Sequence, residues 1–213
     1  MENRKIEYYS RTCNLKLNVY PGHFATRHSH VSHFIDLTTL KVRQSNAKEA
    51  AAQLVQLYRH STIIDTIVCL DGTEVIGAFL AEQLTQSGFT SANFHKSIYI
   101  VTPEIDHDGQ MFFRKNIQPM IKDKNVIILM ASCTTGISIN QSWEAIEYYG
   151  GILQGISSIF SAISEYGNMP INSLFTTRDI PGYNTYNKHD CPYCKRGQKI
   201  DALINGFGYS EVR

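Results

Sequence analysis

The chain has no uninterrupted apolar run near the roughly 20 residues that a membrane-spanning helix needs. Its 213 residues carry a net charge of only +1. The first absence predicts no membrane span. The second leaves no charge excess that would point to nucleic acid or to an anionic membrane. The opening residues, Met1 to Ile6, hold no apolar stretch of signal-peptide type, so the expected location is the cytoplasm. No internal repeat recurs at a fixed period. In that compartment the cysteines Cys13, Cys69, Cys133, Cys191 and Cys194 read as free thiols. Cys69 and Cys133 adjoin apolar runs and read as small buried side chains. What remains is an ordinary globular composition, 43% hydrophobic and 18% charged. The length suits one domain of roughly 100–200 residues with a modest subdomain or tail.

One stretch organises the rest. Val126 to Leu129 is a short apolar run, the pattern of a strand buried on both faces. Small and hydroxyl residues follow at Ala131, Ser132, Thr134, Thr135, Gly136 and Ser138, and a helical pattern runs from Ile139 to Tyr149. A strand, a small-residue turn and a helix aim several backbone N–H groups at one anion. Two readings stand at this level: a phosphate-holding turn, or an ordinary turn with Ser or Thr as the N-cap.

Elsewhere Leu15, Leu17 and Val19 alternate with polar residues as in a half-buried strand that Pro21-Gly22 ends, and Ile6, Tyr8 and Tyr9 suggest an earlier strand. A helix is expected from Ser45-Asn46, a strand over 63–70, a turn at Asp71-Gly72-Thr73 and a helix over 75–84 closing near Gly88. A short strand over 97–101, an acidic loop over 103–110 and a short helix within 111–121 follow. An apolar run resumes at Ile152, Ile171 to Phe175 is read as the last strand, and the chain beyond Thr176 is turn-rich. Alternating strands and helices predict an α/β fold with a doubly wound parallel sheet. Ligands of such sheets bind outside the carboxyl ends of the strands, where the turns after Leu70 and after Ala131 fall.

At this point the sequence resembles a family, the type I phosphoribosyltransferases, and within it the orotate branch. The family pattern is four apolar residues, two acidic, two variable, then Thr-Thr-Gly and a small or hydroxyl residue. Val126 to Leu129, Thr134-Thr135-Gly136 and Ser138 fall on it. Phe24, Arg27, Ser32, Phe34 and Asp36 fall on the orotate branch's N-terminal segment, while His28, Ser29 and His33 depart. Cys191-Pro-Tyr-Cys194 with Gly197 is similar to the tail of some members.

The resemblance implies a five-stranded parallel core (46–178), a small N-terminal hood (1–45) and a C-terminal tail (179–213), usually as a homodimer. It implies transfer of ribose 5-phosphate from phosphoribosyl pyrophosphate to a base, with magnesium. It assigns Ser132, Cys133, Thr134, Thr135, Gly136 and Ser138 to the 5-phosphate. Asp71, Gly72 and Thr73 fall to the pyrophosphate turn, and Arg27 and Phe34 to the base pocket.

Three departures set expectations for function. The acidic pair, which holds the ribose diol, is replaced by Met130 and Ala131. Each lost hydrogen bond to a charged acceptor is worth roughly 1.5–3 kcal/mol. Asp71 and Glu74 place negative charge at the pyrophosphate turn, although Asp71 also reads as a cap of the following helix. The segment matching the family's mobile loop carries Glu104, Asp106 and Asp108 but no Lys or Arg, with Arg114 and Lys115 just beyond. The expected function is therefore nucleotide or ribose-5-phosphate binding with weak or absent transferase activity. The alternative is an active orotate-type enzyme using magnesium, with Asp71, Glu74, Asp106 and His107 as catalytic candidates. A third reading is a fold kept for assembly alone.

No metal ligands are assigned. His28 and His30 would share one face of an extended segment and His33 the other, a sparse set for zinc. Cys191 and Cys194 have the spacing of half a zinc knuckle, with His189 as the third ligand to hand. A structural tail, a metal shared across a dimer, and redox chemistry stand as its readings.

Overall fold

The computed structural model describes residues 2–10, 14–86, 91–94, 96–107 and 109–212. Cys13, Gly88 and Asp108 lie outside the described residues. Two six-stranded sheets and a two-stranded ribbon form from strands named here in chain order. They are β1 (Ile6–Tyr9), β2 (Lys16–Ala25), β3 (Ser29–Asp36), β4 (Thr66–Cys69), β5 (Tyr99–Val101), β6 (Glu104–Ile105) and β7 (Met111–Phe112). The second half supplies β8 (Asn125–Cys133), β9 (Ile152–Ser161), β10 (Glu165–Tyr166), β11 (Met169–Thr176), β12 (Thr185–Asn187), β13 (Ala202–Asn205) and β14 (Gly208–Glu211). The helices are α1 (Thr38–Val42), α2 (Gln44–Leu54), α3 (Glu74–Gln86), α4 (Ile137–Tyr148) and the single turn α5 (Pro192–Lys195).

The core sheet runs β10-β11-β9-β8-β4-β5, parallel throughout except for the β10–β11 hairpin. β8 is central and buried on both faces. Its side chains alternate: Ile127, Leu129 and Ala131 join the core built with α2 and α3, while Val126, Ile128 and Met130 join the core built with α4. Full burial of each large aliphatic contributes about 1.5–3 kcal/mol, so β8 is a stiff platform. The doubly wound α/β arrangement expected from the sequence is present. The alternation also separates Met130 from Ala131, which face opposite layers.

The second sheet, order β12-β3-β2-β13-β14 with β1 also on β2, joins strands of the hood and of the tail. The tail is not a separate appendage, because β12 pairs with β3 and β13 with β2. The hood is thus built from both ends of the chain, and β11 is not the last strand. Pro21-Gly22 does not end β2. The strand continues to Ala25 through a register shift between Pro21 and Phe24, a place where a missing proline N–H is tolerated. The expected acidic loop and short helix are instead the β6–β7 ribbon and a 3-10 turn over Gln118–Met120, with Pro119 in its first turn. The Arg114 guanidinium donates to both Glu104 carboxylate oxygens, at 2.7 and 2.6 Å, and fastens that ribbon. No helix among the described residues is long and apolar enough to cross a membrane.

Candidate functional site

A cavity of about 440 Å³ opens between the carboxyl ends of the core strands and the hood. The turn from Ser132 to Ser138 forms one wall. It is shaped by Gly136, which precedes α4 at φ 81 and packs so close to Tyr166 that a Cβ would stand 2.6 Å from the ring. Thr134 and Thr135 are accessible, whereas Cys133 is buried and burial raises its thiol pKa, so it is a poor nucleophile. The Ser132, Thr134, Thr135, Gly136 and Ser138 set expected from the sequence is therefore brought to one wall, facing the hood.

The opposite wall comes from the β2–β3 hairpin. The Thr26 hydroxyl accepts the N–H groups of His28 (3.2 Å) and Ser29 (2.9 Å), closing a tight turn that holds Arg27 and His28 over the cavity. Arg27 lies against Gly109 of the ribbon, where any side chain would collide with the guanidinium. His28 and His33 both line the cavity, and burial lowers the pKa of each, with Arg27 and Lys188 adding to the effect at His28. His28 does not share an extended face with His30, because it sits in the turn before β3 rather than in extended chain. Phe34 also reaches the cavity but is only 3% exposed, packed among Tyr20, Phe24 and Tyr209. It belongs more to the hood core than to an open stacking face.

Asp71 adopts the left-handed region at φ 58 and lines the cavity. It does not cap α3, because that helix begins at Glu74 and the Asp71 carboxylate instead accepts the N–H of Ala131. The Thr73 hydroxyl shares its proton between the carbonyls of Leu70 (2.9 Å) and Leu129 (3.0 Å). Glu74 accepts the Thr102 hydroxyl at 2.9 Å. Asp106 accepts the Gln110 N–H at 2.8 Å within the ribbon, and His107 is exposed. Gly72, Thr73, Glu74, Asp106 and His107 stand outside the cavity lining.

Sequence reasoning missed what covers the Asp71-Gly72 turn. The ammonium of buried Lys41, from α1, donates to the Asp71 carbonyl at 2.6 Å and to the Gly206 carbonyl. Gly206, in the β13–β14 turn, packs directly on the Asp71 carboxylate. The Phe207 ring stands where a Gly72 side chain would point, 3.5 Å from that position. Nothing local marks Lys41, a lone lysine between Leu40 and Val42, as a site residue.

Burial raises the Asp71 carboxyl above its ordinary value, with Lys41 opposing and Glu74 adding to the rise. A raised carboxyl pKa favours the fold fully at acid pH and loses that contribution as pH climbs through the raised value. Asp71→Asn is therefore expected to raise the melting temperature at neutral pH, with the gain shrinking toward the ordinary carboxylate range. A lower melting temperature at neutral pH would show that Lys41 outweighs burial.

No protein-family model matches the chain, and no curated protein matches it. Solved structures do. The orotate phosphoribosyltransferase of Mycobacterium tuberculosis aligns over 78% of this chain and 93% of its own, at 13% identity and TM-score 0.52. The UMP synthase of Leishmania donovani aligns over 75% of this chain and 34% of its own, at 12% identity and TM-score 0.54. Adenine phosphoribosyltransferase from the same organism aligns over 84% and 79%, at 14% identity and TM-score 0.51. The chain has the fold of the type I phosphoribosyltransferases.

Proposed function

We propose that this chain binds a nucleotide or ribose-5-phosphate ligand through the turn at Ser132 to Ser138, with weak or absent transferase activity. The observation that carries the reading is the unequal state of the two anion-binding turns along one cavity. The Thr134–Ser138 wall is open, and its backbone and hydroxyl groups suit a phosphate. The Asp71-Gly72 turn carries a carboxylate and is packed by Gly206 and Phe207. Between them the ribose position meets Met130, which has no solvent-exposed surface and no acceptor oxygen.

Magnesium would find one carboxylate, Asp71, among the residues lining this cavity, and that group already accepts the Ala131 N–H and is crowded by Gly206. This donor set fits the ion poorly.

One observation favours the rival, an active orotate-type transferase. Lys41 holds positive charge at the turn where pyrophosphate would leave, and lifting the β13–β14 turn would free it. Titration calorimetry separates the two. Ribose 5-phosphate and orotidine monophosphate are expected to bind, and magnesium is expected to add nothing to the affinity for phosphoribosyl pyrophosphate. Tight magnesium-dependent binding of phosphoribosyl pyrophosphate, with loss of orotate absorbance on mixing, would overturn the proposal in favour of the rival. No heat with any of these ligands would remove both. The homodimer belongs to the same proposal, and sedimentation velocity tests it.

A further inference from the structure

Outside the cavity, the hood gathers a second constellation. His23 near the end of β2, His30 on β3, and Cys191 and Cys194 around α5 place one ligand-capable atom each within 4.8 Å of all the others. We propose that these four residues form a tetrahedral zinc site that fastens the C-terminal segment to the hood hairpin. The site is independent of what the cavity binds.

The distances suit a tetrahedron. With Zn–N near 2.0–2.1 Å and Zn–S near 2.3 Å, ligand atoms stand about 3.3 Å apart for N···N and about 3.5 Å for N···S. Here His23 Nε2 lies 3.0 Å from His30 Nδ1, 3.5 Å from Cys191 Sγ and 3.6 Å from Cys194 Sγ. Cys194 Sγ lies 3.4 Å from His30 Nδ1. Histidine nitrogen and thiolate together are a ligand set that favours zinc over magnesium or calcium.

The tautomer of His23 is fixed in the sense that zinc requires. Its Nδ1 faces the carbonyl oxygens of Gln198 (3.0 Å) and Lys199 (3.2 Å). A carbonyl only accepts, so Nδ1 carries the proton and Nε2 turns its lone pair toward the other three groups. Backbone carbonyls of this kind orient metal-bound histidines.

A metal-free reading lets His30 Nδ1–H donate to His23 Nε2. That single bond uses up the His23 lone pair and leaves the two sulfurs, which hydrogen-bond each other, packed against imidazole nitrogens that have no second lone pair to offer. A dication among the four satisfies every one. Its binding would release both thiol protons and leave a site of zero net charge, two thiolates against one dication.

The backbone around the cysteines is shaped for the task. Cys191 precedes α5, Pro192 opens it, and the turn closes through Lys195 N–H to Cys191 O (3.1 Å) and Gly197 N–H to Cys194 O (2.9 Å). Gly197 takes φ 71, the left-handed conformation that glycine allows. His23 and Cys191 are almost fully buried, while Cys194 is exposed and offers an entry path. His189, the ligand suggested by sequence proximity, is exposed and stands outside the group.

The test uses the full chain purified from zinc-replete medium, any purification tag removed, with zinc measured by elemental analysis. One zinc per chain is expected to survive dialysis and to leave when a mercurial titrates the two thiols. Cobalt in its place should give the intense visible absorption of tetrahedral thiolate coordination. Cys194→Ser should lose the metal, and His189→Ala should keep it. Should Cys194→Ser fail to fold, chelator-treated wild type still decides: its melting temperature must fall and recover on adding zinc. A metal-free protein that gives no cobalt spectrum, a Cys191–Cys194 disulfide in the purified chain, or loss of zinc in His189→Ala would each overturn the assignment.

Discussion

If the turn binds ribose 5-phosphate as proposed, Gly136→Val is expected to weaken that binding about a hundredfold or more while leaving the core sheet folded. The residue sits at φ 81 ahead of α4, a region that costs a β-branched residue on the order of 1–3 kcal/mol. The new Cβ would also press on the Tyr166 ring at 2.6 Å and on Ile163 at 3.3 Å. Tyr166 has little freedom to yield, since its hydroxyl donates to Asn140 of α4 at 2.8 Å. The turn must therefore move, and its N–H groups lose their common focus. Losing two hydrogen bonds to a charged phosphate, at roughly 1.5–3 kcal/mol each, weakens binding by about a hundredfold or more. Calorimetry with ribose 5-phosphate reads the loss, and circular dichroism reports the fold. Unchanged affinity in a folded variant would remove the turn from the binding site.

The second large effect concerns Met130 and Ala131, which stand where the resembled family's pattern has two acids. Supplying both acids looks like the way to restore a ribose contact, but the layer alternation of β8 makes the two changes unequal. Ala131 is fully buried in the core shared with α2 and α3. An aspartate there is a buried charge without a partner, and Ala131→Asp is expected to cost about 3–5 kcal/mol or to prevent folding. That is a large part of the 5–15 kcal/mol that typically separates folded from unfolded chains. Met130 lies on the other layer, at the cavity wall. Met130 is as buried as Ala131, but only Met130 borders the cavity, so an aspartate there can turn toward it. Met130→Asp is expected to fold with a smaller loss than Ala131→Asp and, if the cavity takes ribose 5-phosphate as proposed, to bind it about tenfold more tightly through one charged acceptor. Denaturant melts of the two variants, followed by calorimetry of Met130→Asp, check both halves. An Ala131→Asp protein as stable as the wild type would refute the assignment of that side chain to the core.

Several elements were legible because their causes are local. The Val126–Leu129 run and the Thr-Thr-Gly turn predicted β8, the turn and α4, since a doubly buried strand must be apolar and a tight strand-to-helix turn must be small. The same reading of local pattern found α2 and α3. It failed where pairing overrode local signals. Pro21-Gly22 reads as a strand end, yet a bulge carries β2 onward because β3 holds its other side. The two-residue strands β6 and β7 are too short to leave a period, and only their mutual pairing and the Arg114–Glu104 contact define them.

By itself, then, the sequence determined the α/β class, the central strand and the small-residue turn that forms one wall of the cavity. The tertiary structure alone decided that the tail completes the hood, that Lys41 and Phe207 meet the Asp71-Gly72 turn, and that His23 and His30 join Cys191 and Cys194. The reason is chain separation. Lys41 and Gly206 are 165 residues apart and His23 and Cys191 are 168 apart. Contacts at that distance carry no periodicity and no spacing rule; they arise only when the two ends of the chain pair in one sheet.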